Sequence, residues 1–212
     1  MFDDLKLKLF LMKTNRLLLA ILFLVMVHAT SFAQEKEKPK FTFGVGPAID
    51  HNLALWGINF VNEVDLSISK RFTFTPSLTF YHSIGNIDFD HPNKGLKKED
   101  FSSGIFINPK LKYDILQWKN GFILSFAAAP SFQIGSHAFV ANINSSNPES
   151  PEWWRFPSKF NRLGLLIELE AEWNTKNPNF NQAVGVSFSG YDLYMPWYIM
   201  ATYKVKIKSW GK

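Results

Sequence analysis

The sequence predicts an all-β chain, folded as an eight-stranded antiparallel up-and-down transmembrane β-barrel. Three observations predict it: eight segments in which apolar and polar residues alternate, no long apolar helix after the first thirty or so residues, and connections that divide into short and long ones. Period-2 alternation gives a strand two unlike faces, which is what a wall between two unlike media requires.

The chain begins with a leader. Lys13 and Arg16 precede an apolar run from Leu17 to Val27, and small residues at Ser31 and Ala33 then suit a signal peptidase. Residues 1–33 are therefore expected to be a secretory signal peptide, cleaved after Ala33. The run is too short for a membrane-spanning helix, which needs about twenty residues. Asp3 and Asp4 stand where a leader carries positive charge, so Met12 is the expected start. Residues 34–40 form a short charged periplasmic linker, and 41–208 the barrel.

About 179 residues remain, enough for one all-β domain. The formal charge of +5 falls to about +3 with no dense basic block, which argues against nucleic acid as a partner. The chain has no cysteine, which rules out disulfides and thiolate metal sites. Stability outside the cell must then come from backbone pairing and packing.

The first segment, 41–49, carries Gly44 and Gly46 on its polar side. The second, 54–69, sets Trp56, Ile58, Phe60, Val64, Leu66 and Ile68 against Gly57, Asn59, Glu63, Asp65, Ser67 and Ser69, with Asn62 interrupting the apolar side. The third, 71–82, sets Phe72, Phe74, Leu78 and Phe80 against Thr73, Thr75, Ser77 and Thr79. The fourth, 101–115, sets Ile105, Ile107, Leu111 and Tyr113 against Gly104, Asn108, Lys110 and Lys112. In the fifth, 121–135, Phe126, Phe132 and Ile134 oppose Ser125, Ala127, Ser131 and Gln133. In the sixth, 160–174, Leu163, Leu165, Ile167, Leu169 and Trp173 oppose Arg162, Glu168, Glu170 and Glu172. The seventh, 182–191, alternates Val184, Val186 and Phe188 with Gly185, Ser187 and Ser189. The eighth, 197–208, alternates Trp197, Ile199, Ala201, Tyr203, Val205 and Ile207 with residues ending in Lys204, Lys206 and Lys208.

Ser83 to Asp100 and Ser136 to Ser158 read as long polar loops, whereas the links at Lys70-Arg71, Gln117 to Gly121 and Thr175 to Gln182 are short. Outer-membrane barrels keep short turns in the periplasm and long loops outside. Alternation alone also fits a secreted soluble β-barrel whose apolar face holds an apolar ligand. Three features favour apolar side out. Small residues crowd the polar face, as a narrow interior needs. Leu163 to Trp173 spans about 33 Å at roughly 3.3 Å per residue, which a tilt of about 40° projects to about 25 Å, the height of an apolar belt. Aromatic residues also gather at strand ends: Trp56, Phe80, Phe101, Tyr194 and Trp197 at one end, Phe72, Tyr113, Trp118, Trp173 and Trp210 at the other.

Pro47, Pro76, Pro109 and Pro130 fall inside four strands, where each removes a ladder donor, and bulges are the expected remedy. Around them the chain resembles the PorT-like outer-membrane β-barrel proteins. Phe74-Thr-Pro76-Ser-Leu78-Thr-Phe80-Tyr81 resembles that family's third-strand segment. Ile107-Asn-Pro109-Lys-Leu111-Lys-Tyr113 is similar to its IPLxxKY segment, and Ala129-Pro130-Ser-Phe132 to its GPY segment. The chain departs from the pattern in having Asn108 where an acidic residue is usual, and in running on to Ser209-Trp-Gly-Lys212 instead of ending on an aromatic. The resemblance implies an eight-stranded integral barrel and a role in an envelope or secretion assembly.

The polar face carries Glu63, Asp65, Asp114, Glu168, Glu170 and Glu172 together with Arg71, Lys110, Lys112, Lys204, Lys206 and Lys208. These are expected to pair as a structural plug in a lumen too narrow for water, with an ion or proton path as the alternative. His51, His82, His91 and His137 lie at outer strand ends, with Asp88 and Asp90 beside His91, but lack metal-ligand spacing. His82-Ser83 is the one adjacent histidine and serine that could serve lipid hydrolysis, and neighbours on a strand point to opposite faces. No cofactor, metal site or enzymatic activity is expected. Trp153 and Trp154 read as a surface contact for membrane or partner. The expected protein is thus an integral outer-membrane barrel with a structural, interaction or surface-binding role, whose partners are outer-membrane lipid and an envelope protein.

Overall fold

The computed structural model describes residues 38–86, 100–143, 152–191 and 194–208. The expected signal peptide, Met12, most of the linker, His91 with Asp88 and Asp90, and the end at Trp210 lie outside the described residues. Eight strands follow in chain order: β1 (Lys40–Asp50), β2 (Leu55–Ser67), β3 (Phe72–Asn86), β4 (Phe101–Gln117), β5 (Ile123–Asn142), β6 (Trp153–Asn174), β7 (Phe180–Tyr191) and β8 (Tyr194–Lys208). Each pairs antiparallel with its sequence neighbour, and β1 meets β8 from Lys40↔Lys208 to Asp50↔Tyr198, so the sheet closes into a barrel without a free edge through its wall.

The apolar faces point outward. Phe43, Leu78, Ile107, Leu163 and Leu165 are each about half exposed, whereas their polar neighbours Thr42, Ser77, Asn108 and Lys110 are buried. A soluble barrel with an apolar interior would show the reverse, so the second reading of the alternation is excluded. The outward residues form the belt that a lipid bilayer would cover.

The two long connections are shorter than expected. β3 continues to Asn86, and the stretch expected as a loop from Ser136 to Ser158 is mostly strand, running up to Asn142 and back from Trp153. Its polar residues and Pro157 disguised a ladder that runs unbroken from Ile123↔Glu172 to Asn142↔Trp153. The cross-strand pair Phe139↔Phe156 stacks with ring centroids 5.1 Å apart, which holds this extension together. Pairing of β6 to β7 stops at Gly164↔Tyr191 and that of β4 to β5 at Phe101↔Ala138, so β5 and β6 project as a hairpin beyond the other described strands.

The prolines are not accommodated by bulges. The ladder omits Gly46 and Pro47 against β8, Pro76 against β2, and Pro109 and Pro130 between β4 and β5, and in each case the register is the same on both sides of the gap. Each proline keeps its other neighbour: Pro47↔Ile58, Pro76↔Pro109 and Pro130↔Leu165. The register also sets Pro109 opposite Pro130, so two missing donors share one interruption. The irregularities of register fall elsewhere, at Trp56/Gly57, Asp114/Leu116 and Ser189/Tyr191.

Candidate functional site

The lumen divides into two filled regions. At the end that holds the short turns, which is the periplasmic end of such barrels, four alternate strands supply charge of alternating sign. β2 brings Glu63 and Asp65, β4 brings Lys110 and Lys112, β6 brings Glu168, Glu170 and Glu172, and β8 brings Lys204 and Lys206. The strands between them contribute small or neutral residues such as Thr42, Gly44, Thr75, Ser125, Ala127 and Gly185. Long side chains can therefore cross the lumen from four directions.

Lys110 bridges Glu63 (2.5 Å) and Glu168 (2.6 Å), and Lys112 bridges Asp65 (3.0 Å) and Glu170 (3.2 Å). Lys204 contacts Glu63 (3.1 Å), Glu170 (2.7 Å) and Glu168. Lys206 joins Asp65 (3.0 Å), Glu170 (2.5 Å) and Glu172 (2.7 Å). Glu170 thus serves three lysines. The five carboxylates exceed the four lysines by one, and Lys40 at the rim reaches Glu172 at 3.5 Å. Space for this lattice depends on Gly185, where an added Cβ would lie 2.6 Å from Glu168 Oε1. All nine expected lumen residues are brought together, and Lys40, assigned from sequence to the linker, is a tenth member.

Three other charges expected in the lattice stand apart from it. Asp114 accepts hydrogen bonds from Ser125 (2.7 Å) and Gln117 (2.8 Å), Arg71 is exposed and donates to the Tyr113 hydroxyl (3.2 Å), and Lys208 forms no ion pair among the described residues. Above the lattice, a void of only about 20 Å³ lies between Asn108, Ser77, Thr79 and Thr202. That is room for about one water molecule, beside an Asn108 carboxamide that has no hydrogen-bond partner among the described residues.

The outer end is filled differently. Tyr81, Phe106, Tyr198, Met200 and Ala48 form a buried cluster, with Tyr198 edge-on to Tyr81 at 5.5 Å. Over it lies Arg162, whose guanidinium carbon stands 3.3 Å from the Tyr191 ring centre and 3.9 Å from that of Phe160. Its Nε donates to Gln133 Oε1 (3.1 Å) and its Nη2 to the Tyr198 hydroxyl (2.9 Å). Arg162 is thus a lid of cation–π and hydrogen-bond contacts. Trp197, expected in the lipid-facing girdle, packs onto this mouth instead, 4.2 Å from Tyr191. The bend at Ser189/Tyr191 carries the end of the β7–β8 pair over the opening.

Beyond the lid the inner face of the hairpin turns aromatic. Phe160, Ser158, Phe156 and Trp154 follow Arg162 at two-residue steps on β6, beside Phe139 of β5, and Trp154 is 51% exposed. Trp153 and Trp154 do not act as a pair: they point to opposite faces, Trp153 is half-buried, and Trp154 Nε1 donates to Glu152 Oε1 at 2.8 Å. Sequence reasoning missed Arg162 and this strip, although inward positions that change from charged to aromatic along one strand were a usable signal.

The other candidate chemistry is dispersed. Ser83 points inward and its Oγ accepts from the Ser102 amide (2.9 Å), while His82 is exposed on the outer face against Phe80 and Phe101. His51 and His137 are likewise separate, and among the described residues no group of three histidine or acidic side chains could hold a metal.

No family model matches the chain, and no curated protein matches it. Among solved structures it is similar to neisserial surface protein A, with a TM-score of 0.51 and 12% identity over 81% of this chain and 96% of that one. It is also similar to the N-terminal β-barrel domain of OprF from Pseudomonas aeruginosa, with a TM-score of 0.50 and 12% identity over 82% of this chain and all of the domain. At this identity the likeness speaks for the fold: the closed eight-stranded barrel of outer-membrane proteins. The apolar belt and polar interior agree, and the protein is an outer-membrane barrel.

Proposed function

We propose that the protein is a PorT-like outer-membrane barrel, exported by the signal in residues 1–33, which serves as a closed and non-enzymatic anchor and presents the β5–β6 hairpin to an envelope or surface partner. The observation that carries this reading is the aromatic strip of Trp154, Phe156 and Phe139 on a hairpin that stands clear of the membrane wall. Exposed aromatic rings grouped on one face gain most when a partner covers them. The charge lattice supports the anchor role, because a lumen filled by interlocked side chains holds shape without conducting.

A photoreactive residue placed at position 156, on the strip, should form a discrete protein adduct in intact cells. The same residue at position 159, on the other face, should not. Equal adducts at both positions, or none at 156, would remove the recognition surface. Step conductance of the purified protein in a planar bilayer would defeat the closed-anchor part separately.

A further inference from the structure

One polar side chain stands where the belt should be apolar. Asn62 lies midway along β2 on the outward face, exposed, and no described residue hydrogen-bonds its side chain. Its cross-strand neighbours are Phe43 on β1 and Leu78 on β3, both outward and about half exposed, and Leu78 is followed around the wall by Ile107 and Phe132. The amide therefore sits within an apolar field at the depth of the hydrocarbon, away from the aromatic ends of the strands. Neither acyl chains nor the barrel itself satisfies it, and a carboxamide left unpaired in hydrocarbon is costly.

The surface around Asn62 is also shaped. A groove of about 560 Å³ is lined by Asn62 itself together with Phe41, Phe43, Leu78, Pro76 and Pro109. The ridge of phenylalanines on β1 and the hollow at the prolines of β3 and β4 flank Asn62 on opposite sides. A carboxamide carries both a donor and an acceptor, so two copies can satisfy each other by a reciprocal pair.

We propose that this face is a homodimer interface, with Asn62 of one copy paired to Asn62 of a second copy within the membrane. Two barrels inserted in the same direction are related by a two-fold axis along the membrane normal, and such an axis beside Asn62 sets β1 of each copy against β3 of the other. The projecting Phe43 then meets the hollow left by Pro76 and Pro109, and the contact is made twice. A second copy fits better than an unrelated chain because both the hydrogen-bonding group and the ridge beside the hollow are self-complementary.

The chain contains no cysteine, so a single one reports cleanly. In vesicles of phosphatidylethanolamine and phosphatidylglycerol, Phe60→Cys, two residues from Asn62 on the outward face of β2 and with the carboxamide left in place, should oxidise to a cross-linked dimer severalfold faster than Leu165→Cys, which sits on β6 across the barrel. Asn62→Leu should raise the dimer dissociation constant about tenfold, the loss of interhelical-type amide hydrogen bonds in lipid, read by energy transfer between labelled copies over a range of lipid dilutions. It should keep heat-dependent gel migration, since leucine suits the belt. Equal cross-linking at positions 60 and 165, or unchanged association of the folded leucine variant, would overturn the proposal.

Discussion

The two ends of the lumen solve one packing problem with different chemistry. The periplasmic half is filled by nine charged side chains whose signs alternate among β2, β4, β6 and β8, with Lys40 of β1 at the rim, while the outer half is filled by aromatic rings and one guanidinium. In the first, every member depends on several others, because an ion in a dry interior is tolerable only when its partners are in place. In the second, stacking and edge contacts tolerate partial loss. The difference teaches that one lumen can be filled at one end by mutually dependent charges and at the other by contacts that survive the loss of a member.

The sharpest way to test this contrast is Glu170→Ala, which leaves three buried lysines short of a partner. It should cost about 3–5 kcal/mol, the range for breaking a buried ion pair from one side, measured by urea unfolding in lipid vesicles. A loss under about 1 kcal/mol would mean that water screens the lattice. Arg162→Ala should cost less, about 2 kcal/mol for a desolvated cation–π contact, and Arg162→Lys should recover only part, since lysine lacks the planar fork that spans Gln133 and Tyr198. Replacing Trp154 by alanine should move stability by no more than about 0.5 kcal/mol, as for surface positions, while abolishing the adduct formed by a photoreactive residue at position 156. Smallest of all, raising salt from 0.1 to 1 M should leave the unfolding midpoint nearly unchanged, because screening acts weakly on buried pairs.

What could be read from the sequence follows from which interactions are local. Inside and outside are decided by alternation within each strand, so all eight strands and the nine lumen charges were legible: Lys204 and Lys206 share a face with each other whatever lies across the barrel. Which charges fall outside the lattice was not legible, because Asp114 is diverted by Ser125, its cross-strand partner on β5, and by Gln117, and neither pairing is visible within one strand. The long hairpin was hidden by Pro157, which reads as a strand breaker unless one knows that, among the described residues, no strand pairs with the far side of β6 there. Trp197 kept the parity of a lipid-facing residue, yet the bend at Ser189/Tyr191 turned it over the mouth. The prolines were recognised as missing donors, but their alignment across three strands depends on register, which no single strand contains.

Among the described residues, no strand pairs with the side of β6 that faces away from β5 above Gly164. A row of open amides and carbonyls is a template on which other chains can add strands and grow aggregates, and secreted proteins protect such edges with proline and charge. The residues from Trp153 to Leu163 that follow the parity of Pro157 include Arg155 and Lys159, and Pro157 stands in the middle where a donor would otherwise invite a new strand. The hairpin is therefore guarded against sheet extension and left open to contact through its side chains. Replacing Pro157 by threonine would restore the donor and convert a selective surface into an adhesive one, visible as fibre or ladder formation by purified protein that the native chain does not show.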